Sequence, residues 1–422
     1  MQTLSLGLAV LLLTVPYQMY GAVLGNGESG GGPGTYFNPE NGNSVSASVA
    51  LTNAVARRTI GFLGGSITEM NGFRPLLMSS LRMEYPDVEF VEIAAGLSST
   101  CSDTGAFRLE RDVFRKGIPD VLIVDVAVND DQDGHFDVEH CIRGLEGIVR
   151  HMLMVNPQCL VVIAEMVNKI QYDQISCGQE PIPYIAGRIV ARHYGAVLAD
   201  IGSALVASAK SGGLSWEGYR DCHPSPEGCA FGARVILKAI NSTVDFKKAM
   251  PRQSLPEPID RFSYCYGREL DFASVCEGDA WKVEKPDWDV IPGLKRAYFT
   301  QGEALCCART NELLTVRFSG TALAALLTAG PDAGDMEVSV DGKIFRRIPL
   351  RADYGSLHYP YTQMLADDLV EGSHEVRIRV LPVRRKLGLG TNVRINRLCA
   401  NEVTGNDAFQ HRRDRAAKRM GN

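Results

Sequence analysis

No two cysteines in this sequence are spaced CxxC, so a finger-type zinc site is not expected. Nor is there a basic stripe. The 44 Lys and Arg are scattered among 49 acidic residues, for a formal net charge of -5, and no nucleic-acid partner is expected. Internal repeats are absent. The apolar segment 4–15 is short for a membrane span and reads as the core of a secretory signal over residues 1–22, with processing near Gly21 or Ala22. Its n-region has no Lys or Arg, and Tyr20 stands where a small residue usually precedes the cut, so an uncleaved anchor stays open as the alternative. Beyond that signal or anchor no membrane contact is expected, and the protein is placed outside the cytoplasm, secreted or periplasmic. The eleven cysteines are odd in number and spread along the chain. Export would allow one or two disulfides, with no connectivity legible in the sequence.

With 45% hydrophobic and 22% charged residues over 422 positions, the chain has the balance of a soluble globular protein with two or three domains. Residues 23–56, rich in Gly, Asn, Glu and Pro, read as a flexible lead-in. A regular alternation follows. Apolar strand-like runs fall at 59–63, 88–94, 121–128, 159–167 and 196–201, and helix-like stretches at 72–85, 106–116, 138–155, 181–194 and 226–244. Strands apolar on both faces and alternating with helices predict a parallel sheet covered on both sides, a flavodoxin-like three-layer α/β/α domain over 57–250. Residues 251–260, with Pro251, Pro256 and Pro258, read as a linker. Beyond it the texture changes to short alternating runs at 313–318, 336–340, 343–348 and 375–381, with Asp341-Gly342 as a hairpin signal. An all-β, jelly-roll-like sandwich is expected over 261–405, followed by a basic, disordered tail at 406–422.

The chemistry centres on the run from Ile60 to Thr68. It reads as a short strand, then Gly64-Gly65, then Ser66, then a helical stretch. The paired glycines permit a sharp turn that leaves the serine hydroxyl at the carboxyl edge of the sheet, where ligands bind in such folds. A phosphate-loop Lys and the third Gly of a dinucleotide fingerprint are both missing. Three further signals fall at successive element ends: Gly96 after the second strand, Asn129 after the third, and His223 before the last helix. A serine needs a base, and the tetrahedral intermediate needs N–H donors; His223 offers the first, and Gly96, Asn129 and Ser66 itself the second.

Ser66, Gly96, Asn129 and His223, in this order and on these elements, resemble the SGNH (GDSL-type) hydrolase superfamily over roughly residues 57–244. The resemblance implies a Ser nucleophile, a Gly and Asn oxyanion hole, and a His base with a nearby Asp, hydrolysing esters with no metal or cofactor. Three departures stand out. Gly65 replaces the usual Asp before the nucleophile, as in carbohydrate-esterase members, and Ala127 replaces a Gly. The acid usually precedes the His by three residues, but that position is Arg220, while Asp221 precedes by two. With Pro224 favouring an extended His223, Asp221 is expected to accept the Nδ1–H. Asp200 and Glu217 are the alternatives, as is a Ser–His dyad with Asp221 capping the following helix or pairing with Arg220.

Of the remaining candidates, Asp130 and Asp131 read as a solvated loop or a helix cap, and His135, His140, His151 and His193 as structural. The run from His358 to Tyr361 reads either as a sandwich edge or as a sugar-stacking surface. The expected activity is hydrolysis of O-acyl, chiefly O-acetyl, esters on a small molecule or polysaccharide. A lipase or lysophospholipase-type acyl hydrolase and a non-catalytic glycan-binding protein are the alternatives. The oligomeric state is left open.

Overall fold

The computed structural model describes residues 56–350, 356–382 and 390–403. The expected signal, the lead-in up to residue 55 and the basic tail concern residues outside these. In the first half the order is β1 (Ala56–Gly64), α1 (Ser66–Glu69), α2 (Phe73–Glu84), β2 (Val88–Gly96), α3 (Ser102–Leu109), β3 (Val121–Asp125) and α4 (Ala127–Gln132). Then come α5 (Val138–Val155), β4 (Leu160–Glu165), α6 (Lys169–Ser176), α7 (Ile182–Tyr194), β5 (Val197–Asp200), α8 (Ile201–Lys210), α9 (Trp216–Tyr219) and α10 (Pro226–Asn241). The five strands are all parallel in the order β2-β1-β3-β4-β5, the flavodoxin-like arrangement expected from the alternation. Side chains alternate across β1. Ile60 and Phe62 enter a core with α2 and α10, and Leu63 one with α3 and α5. That two-sided burial is why the strands read as unbroken apolar runs.

Several boundaries differ: β1 begins at Ala56, α3 at Ser102, and α6 and α8 fall where no helix was expected. One difference bears on the site. Residues 126–128, read as the end of a strand, already turn into α4, with Ala127 as its first residue. Asn129 therefore projects from a helical turn above the sheet edge, and an alanine at 127 is an ordinary helical residue.

The second half consists of short strands: β6 (Gly267–Leu270), β7 (Cys276–Glu277), β8 (Lys282–Glu284), β9 (Leu294–Lys295), β10 (Ala304–Cys307) and β11 (Leu313–Ser319). They continue as β12 (Ala322–Ala329), β13 (Asp335–Val340), β14 (Arg346–Pro349), β15 (Leu357–Ala366), β16 (Ser373–Val380) and β17 (Val393–Asn401). Two sheets result, β8-β10-β17-β12-β15-β9 with β6 on β17, and β14-β13-β16-β11-β7. Among the described residues the strand pairings are antiparallel except β15 with β9, and the two sheets close on one apolar core. Asp341 and Gly342 both take positive φ, 49° and 75°, and Lys343 N donates to Val340 O at 2.9 Å, which makes the expected hairpin turn between β13 and β14.

β12 is buried along its whole length. Leu323, Ala325 and Leu327 face the sandwich core, while Ala322, Ala324 and Leu326 pack in one core with residues of α3 and α5. The sandwich thus presses one sheet flat against the helical layer of the first half. Residues 251–260 carry the chain across and are tied down at their end. The carboxylate of Glu146, fully buried in α5, accepts from Ile259 N at 2.6 Å, Asp260 N at 3.0 Å, Ser263 Oγ at 2.5 Å and Tyr194 OH at 2.6 Å. One turn away, Arg143 bridges Asp260 at 2.7 Å and Asp368 at 2.7 Å. Glu146→Leu leaves four donors without their acceptor, and the two buried hydroxyls, of Tyr194 and Ser263, each cost about 1–3 kcal/mol, so urea unfolding should show a loss of roughly 2–6 kcal/mol. Glu146→Gln, which keeps one carbonyl acceptor, should lose less.

Candidate active site

Ser66 opens α1 directly after the two glycines, at the carboxyl edge of the sheet. Its Oγ lies 2.7 Å from Nε2 of His223. Gly65 is crowded: a Cβ there would lie inside the van der Waals shell of the Asn129 carboxamide as it is placed. Asn129 is buried and donates one amide hydrogen to Asp133 Oδ2 at 2.7 Å; the same nitrogen carries a second. Gly96 ends β2, level with Gly64 in the strand register, and lies so close under the α1 backbone at Thr68 and Glu69 that a side chain would collide with it. The loop beyond is held by Leu97 N donating to Gly64 O at 2.9 Å, and by Glu69, which accepts from both the backbone N–H of Ser98 and its hydroxyl.

Two residues in this frame were passed over in the sequence. Ser99 has φ 58°, a left-handed conformation uncommon outside glycine, and helps to line a cavity beside the site. Arg108 is buried and donates to Gly64 O at 2.9 Å and Ala95 O at 2.7 Å, tying together the ends of the two strands that carry Ser66 and Gly96. No spacing rule marks either of them, since each matters through a backbone contact made in three dimensions.

Of the two readings for the carboxylates behind the edge, the helix cap holds for Asp130 and the solvated loop does not. Asp130 is buried, not solvated, and caps α3 from outside by accepting from Ser102 N at 2.7 Å. Burial pushes its carboxyl up to about 7 against the pull of the Ser102 hydrogen bonds. Asp125, at the end of β3, is likewise raised to about 7 by burial, opposed by the Thr68 hydroxyl that donates to it at 2.9 Å. Asp131 accepts from Asn168 Nδ2 at 2.7 Å.

His223 lies in a short loop after α9. Arg220 takes φ 94° and ψ -70°, strained for a residue with a Cβ. Ser225 N then closes the loop on Tyr219 O at 2.9 Å. Asp221 does not meet the imidazole as expected. Its Oδ1 accepts the backbone N–H of His223 at 2.6 Å, an Asx-turn, and its Oδ2 lies 3.5 Å from Arg220 Nε. The neighbour of Nδ1 is Cys222 Sγ, at 3.5 Å. Asp200 and Glu217 take no part: Asp200 caps α8, and Glu217 accepts from Ser215 Oγ. Burial is the largest influence on the imidazole and lowers its pKa. The Asp221 carboxylate opposes this, while Arg296, contributed by the sandwich half, adds to it. A base held below its ordinary pKa is neutral near pH 7 and ready to take a proton. Activity should therefore rise with pH through a midpoint below the usual histidine value. Asp221→Asn removes the raising charge and should move that midpoint further down; Arg296→Gln should move it up. Rate–pH profiles of the two variants check the paired shifts.

Between the halves lies a cavity of about 290 Å³ whose walls include Ser99, Gln132, Asp133, Phe136, Tyr359 and Tyr361. Thr104 of α3 and Thr362 of β15 share a hydrogen bond of 2.7 Å at its side. Asp133 joins this cavity to the site through its bond with Asn129. All eleven cysteines carry free thiols, so the disulfides that export would allow are not formed. Among the described residues, no helix is long and apolar enough to cross a membrane.

The architecture is a parallel, flavodoxin-like α/β sheet domain joined to a β-sandwich. Among solved structures, a two-domain esterase (CEX) active on acetylated mannans, co-crystallized with mannopentaose, superposes with TM-score 0.66 at 20% identity, over 82% of this chain and 91% of that one. A second structure of a two-domain esterase (CEX) active on acetylated mannans gives 0.65 at 20% identity, over 82% and 92%. No protein-family model and no curated protein matches the sequence. At this identity the likeness shows the fold.

Proposed function

We propose that this chain is a serine esterase that removes O-acyl groups, chiefly O-acetyl, from carbohydrate. The contact that carries this reading is Ser66 Oγ to His223 Nε2 at 2.7 Å, on the ligand-binding edge of a parallel sheet. As Oγ attacks the ester carbonyl, its proton passes to Nε2. The oxyanion is met by the second amide hydrogen of Asn129 and by the backbone N–H groups of Ser66 and Gly96. Collapse expels the sugar hydroxyl, which takes the proton from Nε2; water then attacks the acyl-enzyme by the same route. The Asp221 charge favours the imidazolium formed in each step.

The carbohydrate part of the reading is supported by the neighbouring cavity. It sets Phe136, Tyr359 and Tyr361 among carboxylate, amide and hydroxyl groups, a mixture suited to the flat faces and hydroxyls of sugar rings. That polar wall suits a lipid tail poorly. The fold likeness to an esterase active on acetylated mannans points the same way. In this reading residues 57–250 carry the chemistry and residues 261–405 complete the substrate cleft, with an exported location supplied by the apolar N-terminal segment. Turnover on acetyl, butyryl and octanoyl esters of one leaving group, followed by acetate release from a panel of acetylated glycans, tests it. Preference for octanoyl and no acetate from any glycan would turn the reading toward an acyl-lipid hydrolase.

A further inference from the structure

We propose that Asp221, Cys222 and His223 form an inhibitory binding site for a thiophilic divalent cation such as Zn²⁺. The three side chains offer a carboxylate oxygen, a thiol sulfur and an imidazole nitrogen, all within 4.8 Å of one another. Oxygen, sulfur and nitrogen together are a donor set that zinc accepts, with ligand atoms about 3.5 Å apart around a tetrahedral ion. Cys222 Sγ and His223 Nδ1 are already at 3.5 Å. Asp221 is exposed, so a turn of its side chain away from the Asx-turn brings the third ligand in. The loop is fixed at both ends by the strained Arg220 and the Ser225 closure, and little ordering is left for the ion to impose. Asp133 adds negative charge nearby, since its field reaches both Cys222 and His223.

Occupancy has a definite consequence for the base. On binding, the Cys222 thiol gives its proton to solvent and the thiolate takes the ion. Imidazole nitrogen Nδ1 donates its lone pair to the metal, so the one remaining ring proton must reside on Nε2. Nε2 then faces Ser66 as a donor and has no lone pair with which to receive the serine proton. Hydrolysis stops without any displacement of Ser66. An acid such as Asp in the place of Cys222 would orient the ring; a thiol there leaves Nδ1 open to a metal. This inference rests on the esterase reading for its effect on turnover, but the binding itself does not.

The experiment uses the full chain, freed of metal with EDTA. Equilibrium dialysis against Zn²⁺ is run on wild type, Ser66→Ala and Cys222→Ala, with Cys177→Ala as the control for an exposed thiol. Co²⁺ binding is followed by its thiolate-to-metal absorption. Turnover of a short acyl ester is titrated with Zn²⁺ and with Mg²⁺, each variant being referred to its own metal-free rate. The expected result is one bound equivalent lost in Cys222→Ala alone, and about a tenfold or greater rise in the Zn²⁺ needed for half-inhibition. EDTA should restore the rate, and Mg²⁺ should leave it unchanged. Equal zinc binding and equal inhibition in wild type and Cys222→Ala overturn the proposal, as does zinc binding that is absent from both. Loss of the equivalent in Cys222→Ala, with no hydrolysis by metal-free wild type, would keep the site and reject the esterase reading.

Discussion

Ser66→Ala is expected to lower turnover of a short acyl ester roughly a million-fold, the loss seen when a serine hydrolase is deprived of its nucleophile. The size follows from the geometry. His223 Nε2 has a single hydroxyl at 2.7 Å, and without it the oxyanion donors have no attached acyl group to stabilise. Ser66 is half-buried at the start of a four-residue helix, and its hydroxyl is not part of either apolar core. The unfolding midpoint should therefore stay near wild type, separating lost chemistry from lost structure. A serine-directed phosphonate should label Ser66 in the wild type and fail to label the variant. Residual activity within about tenfold of wild type would remove Ser66 from the role, because removal of a nucleophile that works with its base as a unit cannot be so mild.

Asn129→Ala is expected to reduce kcat about 100- to 1000-fold with little change in KM, the usual consequence of losing one donor to a developing oxyanion. Gly65 makes a sharper test possible. A methyl group at this position would occupy the space of the Asn129 carboxamide, so Gly65→Ala should displace the amide and cost activity in the wild-type background. In the Asn129→Ala background that space is empty, and the same change should cost far less. Such strong non-additivity in a double-mutant cycle marks two residues that act through one contact. A rise in KM alone for Asn129→Ala would make the amide a ground-state contact to the substrate.

The buried position of Glu146 and the double burial of β12 bear on how the second half takes part in the site. Arg296 reaches the field of His223, and Tyr359 and Tyr361 reach the cavity beside Asp133, because β12 and its neighbours press against α3 and α5. The sandwich therefore lines that cavity from a packed position. Substitutions within it are better probes of its role than truncation, which would expose the apolar faces of α3 and α5.

Much of the first half was legible because its strands and helices each carry their own signal. Five apolar runs at regular spacing, the helical period of α5, and the Gly64-Gly65-Ser66 turn are local patterns, and local patterns set strand order through the few right-handed crossovers available. β12, by contrast, escaped sequence reading. The run from Ala322 to Ala329 shows no alternation, because one face fills the sandwich core and the other packs on the α/β half, and a period-two signal needs one wet face. The partner of His223 escaped for another reason. Asp221 stands at a spacing that lets its carboxylate reach either the imidazole or the backbone N–H two residues on. The Asx-turn forms instead, just after Arg220 at φ 94°, and it uses the Asp221 oxygen on the backbone N–H rather than on the ring. The sequence by itself determined the Gly64-Gly65-Ser66 turn, the place of His223 before the last helix and the parallel sheet, since these depend on residues near one another in the chain. Only the tertiary structure decided which groups surround the imidazole and which aromatic side chains line the cleft. Those choices depend on the packing of β12 against α3 and α5, and no local spacing encodes it.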